Sequence, residues 1–203
     1  MDSVKPIFYR GNPDKPLCPA CRLYPEICIC ASTPRLNNFN KISLLIHVKE
    51  YCRLTNTGHL LELCLQNFTL EFYGKPKQPC NPLNLISSLH QNYILHPAAS
   101  LTLQDISHSG QPVNLIIPDG TWRQSSRMLR SDLKLTNLPR VRLSGCFESA
   151  YLLRKERTAG HLSTFEAAAL ALSELAEQQI TSEMLTFFNH FVHKLRQRAG
   201  KTL

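Results

Sequence analysis

The sequence lacks the features by which several large classes of protein are recognised. No apolar run approaches the ~20 residues of a membrane span, and residues 1–15 contain no apolar segment typical of a secretory signal. Only 8 of the 203 residues are glycine, and neither a phosphate-binding loop nor a dinucleotide fingerprint occurs. Serine-hydrolase and zinc-protease motifs are also missing. We therefore expect a cytoplasmic protein that does not contact membranes, and no feature points to a protein partner.

Acidic residues are also scarce. The chain has 15 of them against 23 lysines and arginines, which gives a formal net charge of +8. Such an excess favours a polyanionic partner, because lysine and arginine displace counterions from phosphates. The alternative is a mildly basic surface that serves solubility alone.

Cysteine is abundant, and half of it is clustered. Four of the eight cysteines lie within thirteen residues: Cys18, Cys21, Cys28 and Cys30. Without an export signal, metal binding is a better interpretation than disulfides. Four thiolates complete a tetrahedral site and leave no position for water, so the metal would be a structural Zn²⁺. We predict a zinc-binding lobe over residues 1–35 and a main domain over residues 36–203; the alternative is four free cysteines.

Apolar runs alternate with segments of helical spacing along the main domain. The patterns predict strands over 41–48, 68–74, 92–97 and 113–118, and helices over 59–66, 83–89, from 121, from 163 and over 182–197. Ser163 and Glu166 form a capping box before the fourth of these helices. The alternation predicts an α/β fold, in which helices cover both faces of a largely parallel sheet. Ligands bind such sheets beyond the carboxyl ends of the strands.

Polar residues follow two of the predicted strands. The strand over 113–118 is the best candidate for a central one, and it leads into Asp119, Gly120, Thr121 and the sole tryptophan, Trp122. His47 and Glu50 lie at the end of the first predicted strand, and Arg53 lies beyond it. Single polar residues at such positions are more often structural than functional.

The helix that follows Thr121 is rich in positive charge. Residues 121–142 contain six basic residues and one acid. Arg123, Arg127, Arg130 and Lys134 have the spacing of one helical stripe, which favours phosphate binding over a solubilising surface. Trp122, Ser126, Leu129 and Leu133 are predicted to form the inward face of the same helix.

Together these motifs resemble the DTW domain family. The resemblance rests on the four-cysteine array, His47 with Glu50, residues 55–58, the Asp-Gly-Thr-Trp stretch, Arg154 with Lys155, and residues 163–167. It implies a fold similar to that of the SPOUT methyltransferases, in which a C-terminal knot holds S-adenosylmethionine. It also implies a transferase that moves the 3-amino-3-carboxypropyl group of S-adenosylmethionine to N3 of a tRNA uridine and releases methylthioadenosine.

The resemblance also implies which residues form the site. The donor would be bound by Asn56, Thr57, Gly58, Pro118, Asp119, Gly120, Thr121, Trp122, Leu162, Ser163 and Thr164. The tRNA would be bound by His47, Lys49, Arg53, Arg123, Arg127, Arg130, Arg154 and Lys155.

Three roles are open for Asp119: general base for the uracil proton, contact to the amino group of the donor, or cap of the following helix. Trp122 is either a wall of the site or a packed core residue. Two other functions compete with the transferase: an RNA methyltransferase of similar fold that uses the same donor, and a zinc-stabilised RNA-binding module without catalysis.

Overall fold

A parallel sheet forms the centre of the protein. The computed structural model describes residues 16–51, 53, 55–147, 149, 151 and 162–198. Its strands are β1 (Lys41–His47), β2 (Phe68–Tyr73), β3 (Gln91–Leu95), β4 (Leu101–Thr102), β5 (Val113–Asp119) and β6 (Arg140–Arg142). They lie in the order β2-β1-β5-β3-β6-β4, and every neighbouring pair is parallel. The predicted α/β fold and the central place of the strand before Asp119 are confirmed.

Helices cover both faces of this sheet. They are α1 (Val48–Tyr51), α2 (His59–Cys64), α3 (Leu103–Ser107), α4 (Trp122–Arg130), α5 (Leu133–Thr136), α6 (Thr164–Glu174) and α7 (Gln178–Arg198). Successive residues of a strand point to opposite faces. Leu44 therefore joins the apolar cluster that contains α2, α6 and α7, whereas Leu45 joins the one that contains α4 and α5. Among the described residues, no helix combines the length and the apolar character needed to cross a membrane.

A buried polar contact fixes the middle of the sheet. The hydroxyl of Ser43 in β1 donates to Asn114 Oδ1 in β5 at 2.7 Å, and both residues are fully buried. Asn114 Nδ2 donates in turn to the backbone oxygen of Leu85 and to Asn92 Oδ1, each at 2.7 Å. These bonds join three strands and the loop before β3, and they satisfy groups that would otherwise be buried without a partner.

Two predicted helices differ from those in the structure. Instead of a helix over 83–89 there is one 3₁₀ turn, Pro82–Asn84. The backbone N–H of Ser87 donates to Asn92 Oδ1 and not to a carbonyl of a preceding helical turn, so no helix continues through Ser87. The last helix begins at Gln178, four residues before the predicted 182. The short elements β4, β6, α3 and α5 were not predicted.

The cysteine-rich segment packs directly against the main domain. Leu23, Ile27 and Ile29 belong to the same apolar cluster as α2, α6 and α7. The guanidinium of Arg198, at the end of α7, lies 3.2 Å from the centre of the Tyr24 ring. A separate unit over residues 1–35 remains a prediction.

Removing the amide of Asn114 should weaken the fold. In Asn114→Ala, Ser43 Oγ, Leu85 O and Asn92 Oδ1 each lose a partner inside the protein. We expect the free energy of unfolding to fall by about 2–4 kcal/mol, measured by urea denaturation. The matched control is Asn137→Ala, at an exposed position, with an expected change below ~0.5 kcal/mol. Equal stability of the two variants would contradict this account of the central contact.

Candidate functional site

Three separate segments of the chain meet at the carboxylate of Asp119. This residue is the last of β5, and it is only 6% exposed. Asn56 Nδ2 donates to Asp119 Oδ2 at 2.7 Å, and Thr164 Oγ1 donates to Asp119 Oδ1 at 2.9 Å. A buried carboxylate is tolerated where such donors replace its water. Thr164 is also the first residue of α6, and the amino end of a helix favours a negative charge.

The turn before α2 fits closely around the same carboxylate. A Cβ atom on Gly58 would lie 2.5 Å from Asp119 Oδ2 and 3.0 Å from Leu44 Cδ2, so only glycine permits this approach. Thr57 Oγ1 accepts from the backbone N–H of Phe165 at 3.4 Å. The segments 56–58, 118–122 and 162–164, all predicted to bind the donor, are therefore brought together at the carboxyl edge of the sheet.

Thr121 and Ser163 begin the two helices at this edge. The side chain of Thr121 accepts from the backbone N–H of Gln124, and Gln124 returns a bond to the N–H of Thr121. Ser163 and Glu166 make the same reciprocal pair, which confirms the predicted capping box. Since Thr121 caps α4, the interpretation of Asp119 as its cap was wrong.

The remaining residues predicted to bind the donor lie around this centre. Pro118 is half-buried within β5, and Leu162 is half-buried before α6. A Cβ on Gly120 would lie 3.0 Å from Gln124 Cβ, so this glycine lets α4 turn back closely after the strand. The Trp122 ring is 56% exposed, which excludes the interpretation as a core residue. Its ring centre lies 6.4 Å from that of His96 in an edge-to-face contact.

The face that α4 turns inward differs from the predicted one. The buried residues are Ser125, Met128 and Leu129, because Met128 and Leu129 pack on the β-sheet cluster that contains Leu45. Of the four residues predicted to face inward, only Leu129 is buried: Trp122, Ser126 and Leu133 are exposed.

The predicted basic stripe is also shorter than expected. Arg123, Arg127 and Arg130 are exposed on α4. The helix ends at Arg130, and Asp132 caps α5, so Lys134 belongs to a different helix.

The end of β1 adds further basic residues next to α4. Burial lowers the pKa of His47, and the charges of Lys49 and Arg127 lower it further. His47 Nδ1 accepts from the backbone N–H of Lys49 at 3.2 Å, so the neutral ring carries its proton on Nε2. Arg53 is exposed and forms an ion pair with Glu50 at 3.1 Å. Arg154 and Lys155, also predicted to bind tRNA, lie outside the described residues.

The four clustered cysteines fit a tetrahedral metal ion. Their Sγ atoms all lie within 4.8 Å of one another, and two of the separations are 3.5 Å, for Cys18 with Cys30, and 3.6 Å, for Cys21 with Cys28. Four sulfurs at ~2.3 Å from a zinc ion stand ~3.8 Å apart, so little movement is needed to close the site.

The thiols of this cluster are inequivalent. Burial raises the pKa of the Cys18 thiol, but hydrogen bonds from the backbone of Cys21 and Ala20 outweigh burial and lower it to about 7. Burial and the neighbouring thiols raise the pKa of Cys30 to about 12. A bound cation would favour the thiolate at every position, because it compensates the negative charge of the cluster.

Two histidines near the site were missed by sequence reasoning. His59 is fully inside the protein, and its Nε2 lies 3.0 Å from the backbone oxygen of Cys21, so it connects the cysteine cluster with α2. Burial lowers its pKa to about 4. No sequence pattern indicates this contact. His96 directly follows β3, and its position at the carboxyl end of the strand predicted over 92–97 was the available signal.

The chain is similar to known proteins over most of its length. The model of the DTW domain family matches residues 15–196, which confirms the resemblance. The protein tRNA-uridine aminocarboxypropyltransferase 2 of Drosophila melanogaster is 30% identical over 165 residues, covering 78% of this chain and 66% of that protein. Proteins of the same name from Mus musculus and Macaca fascicularis are 29% and 26% identical, over 84% of this chain and 60% of theirs. The chain thus spans 60–66% of the length of these curated relatives.

Loss of one clustered cysteine should release the metal and loosen the fold. We expect Cys30→Ala to hold less than a tenth of the zinc bound by the parent protein, measured by elemental analysis. Its melting temperature should fall by roughly 10 °C, since 1 kcal/mol corresponds to about 2–4 °C at this size. The matched control is Cys146→Ala, at an exposed cysteine outside the cluster, with zinc content and melting temperature unchanged. Full zinc content in Cys30→Ala would contradict the four-cysteine site.

Proposed function

The chain belongs to the DTW domain family, and on that premise we propose that it is a tRNA-uridine aminocarboxypropyltransferase. In this proposal it is a cytoplasmic protein that uses S-adenosylmethionine, modifies N3 of a uridine in tRNA and has a SPOUT-like fold with a C-terminal knot. The observation that carries the proposal is the convergence of the three segments 56–58, 118–122 and 162–164 on Asp119. Parallel sheets bind ligands at this edge, and the names of the relatives supply the reaction class.

S-adenosylmethionine supplies a carbon chain activated by the positive sulfur next to it. In the transfer, the bond from that sulfur to the γ-carbon breaks, and a bond from uracil N3 to the same carbon forms. Methylthioadenosine leaves as a neutral product, and the N3 proton must be removed. The protein decides which carbon reacts by orientation, because only the correctly placed carbon reaches near-attack distance of N3.

Asp119 is the proposed acceptor of the N3 proton. Asn56 donates to one of its oxygens and Thr164 to the other, and a carboxylate oxygen can accept more than one hydrogen bond. Both donors are neutral side chains that fix the direction of the carboxylate. Gly58 has no Cβ in the space that Asp119 Oδ2 occupies, so the turn before α2 packs closely against the carboxylate. A base held in this way meets the geometric requirement for general base catalysis.

The exposed residues around the edge suit an RNA substrate. Arg123, Arg127, Lys49 and Arg53 are exposed, and guanidinium and ammonium groups bind backbone phosphates without regard to sequence. The exposed ring of Trp122 offers a plane on which an unstacked base can lie. This arrangement favours a transferase over a pure binding module, because phosphate binding alone requires no buried carboxylate.

The deciding experiment identifies both products. We expect purified protein, incubated with S-adenosylmethionine and tRNA that lacks the modification, to yield uridine heavier by one aminocarboxypropyl group together with methylthioadenosine, as seen by mass spectrometry. A methylated nucleoside with S-adenosylhomocysteine would instead assign the protein to the RNA methyltransferases. Binding of tRNA without either product would support the zinc-stabilised RNA-binding module.

The role of Asp119 can be tested by an isosteric change. In Asp119→Asn the side-chain oxygen can still accept from Asn56, and the new amide can donate to the Thr164 hydroxyl, so the local contacts persist. We expect kcat to fall ~10²–10⁴-fold, while the dissociation constant for S-adenosylmethionine changes less than threefold. Quenched-flow turnover and calorimetric titration measure the two quantities.

The matched control for this variant is Asp132→Asn, because asparagine caps a helix as well as aspartate does. Its kcat should equal that of the parent protein. A large loss of donor affinity in Asp119→Asn, with kcat preserved at saturation, would assign Asp119 to the amino group of the donor and contradict the general base.

A further inference from the structure

A small cavity lies between α4 and the ends of β3 and β6, beside the proposed site. It measures about 130 Å³, and we call it the α4 pocket. Its lining consists of His96, Ser126, Leu129, Arg130 and Arg140. A single water needs about 10–15 Å³ of such volume, so the α4 pocket has room for one tetrahedral anion together with waters.

The chemistry of the α4 pocket is that of a phosphate site. Its lining combines two guanidinium groups, an imidazole and a hydroxyl, and none of the five residues is acidic. A guanidinium presents a planar fork of donors that matches two phosphate oxygens. The hydroxyl of Ser126 adds a single donor, and Leu129 contributes an apolar wall.

His96 supplies another donor to the same lining. Its Nδ1 accepts from the backbone N–H of Ala98 at 3.2 Å, so the neutral ring carries its proton on Nε2. Burial lowers the pKa of His96, and the nearby charge of Arg140 lowers it further. The positive charge of the α4 pocket is therefore carried by Arg130 and Arg140, and a bound anion would offset it.

The α4 pocket lies at the carboxyl edge of the sheet, on the β3 side of β5. Ile94 is paired with Ile116 in the parallel register, so His96 and Pro118 each lie two residues further toward the carboxyl edge. The His96 ring contacts the exposed ring of Trp122, which stands three residues after Asp119. The imidazole therefore lies between the aromatic plane and the guanidinium groups.

We propose that the α4 pocket binds one backbone phosphate of the RNA, belonging to a nucleotide next to the modified uridine, while the Trp122 ring stacks on a base. The proposal rests on the function proposed above and adds His96, Ser126 and Arg140 to the residues that hold the substrate. Phosphate contacts set the position of a nucleic acid on a protein. A phosphate fixed here would set the distance between the extruded uracil and Asp119.

The variant Arg140→Gln tests this assignment. Arg140 is exposed at the first position of β6, so the change removes a charge without opening the core. We expect tRNA affinity to fall about tenfold near 0.1 M salt, and the slope of log affinity against log salt to become shallower by about one. The Michaelis constant for S-adenosylmethionine should be unchanged. Melting temperature confirms that the variant is folded.

The matched control is Arg35→Gln. Arg35 is also exposed and carries the same charge, but it precedes Leu36, which pairs with Leu65 at the amino side of the sheet. Its tRNA affinity should remain within twofold of the parent value, and its slope of log affinity against log salt should remain within about 0.3. Equal effects of the two variants would overturn the proposal, because only net charge would then matter. Arg130→Gln should reproduce the loss seen in Arg140→Gln, and parent-like binding by Arg130→Gln would also overturn it.

A titration with inorganic phosphate separates a site for RNA from one for a free anion. Trp122 is the sole tryptophan, and its ring contacts His96 of the α4 pocket, so its fluorescence can report on binding there. Suppose that phosphate quenches the Trp122 fluorescence of the parent protein but not that of Arg140→Gln, and that both proteins bind tRNA equally. This result would overturn the RNA assignment. A parent protein that shows no transfer, with the tRNA effects of Arg140→Gln as expected, would refute the proposed function and leave the RNA phosphate site supported.

Discussion

The burial of one carboxylate organises the functional edge of this protein. Asp119 is almost completely buried at the end of a central strand, and an ionised group in that position is costly unless donors replace its hydration. The donors come from Asn56 and Thr164, which are far apart in sequence. The turn before α2 and the start of α6 must therefore both be in place before the carboxylate can be buried. The same contacts that stabilise this edge of the fold therefore bring the residues of the candidate site together.

The cysteine-rich segment is connected to this carboxylate by a short series of contacts. The backbone oxygen of Cys21 meets the ring of His59, whose backbone N–H donates to Asn56 Oδ1, and Asn56 Nδ2 donates to Asp119. A metal that closes the cluster would fix the Cys21 backbone and with it the position of α2. The zinc would contribute to the site through rigidity, although four cysteine ligands leave it no open position for chemistry.

Much of this arrangement is local in origin and was predictable. The strands before His47 and Asp119 are continuous apolar runs, and the box of Ser163 and Glu166 needs only a three-residue spacing. The face of α4 was not predictable, because periodicity cannot distinguish Leu129 as a buried residue from Leu133 as an exposed one. That difference arises from the helix end at Arg130, which is set by packing on the sheet. The proximity of His96 to Arg140 was not predictable either, because it depends on the order of the strands in the sheet.

The orientation of α4 gives its outer face a defined geometry. Trp122, Ser126 and Arg130 recur at intervals of four residues, so they share one side of the helix over ~12 Å. A rotation of the helix by one residue, ~100°, would turn this side away from the site. The cap at Thr121 and the anchors Met128 and Leu129 oppose such a rotation. The backbone that carries the exposed tryptophan is thus fixed relative to the sheet, as the proposed stacking on an extruded base would require.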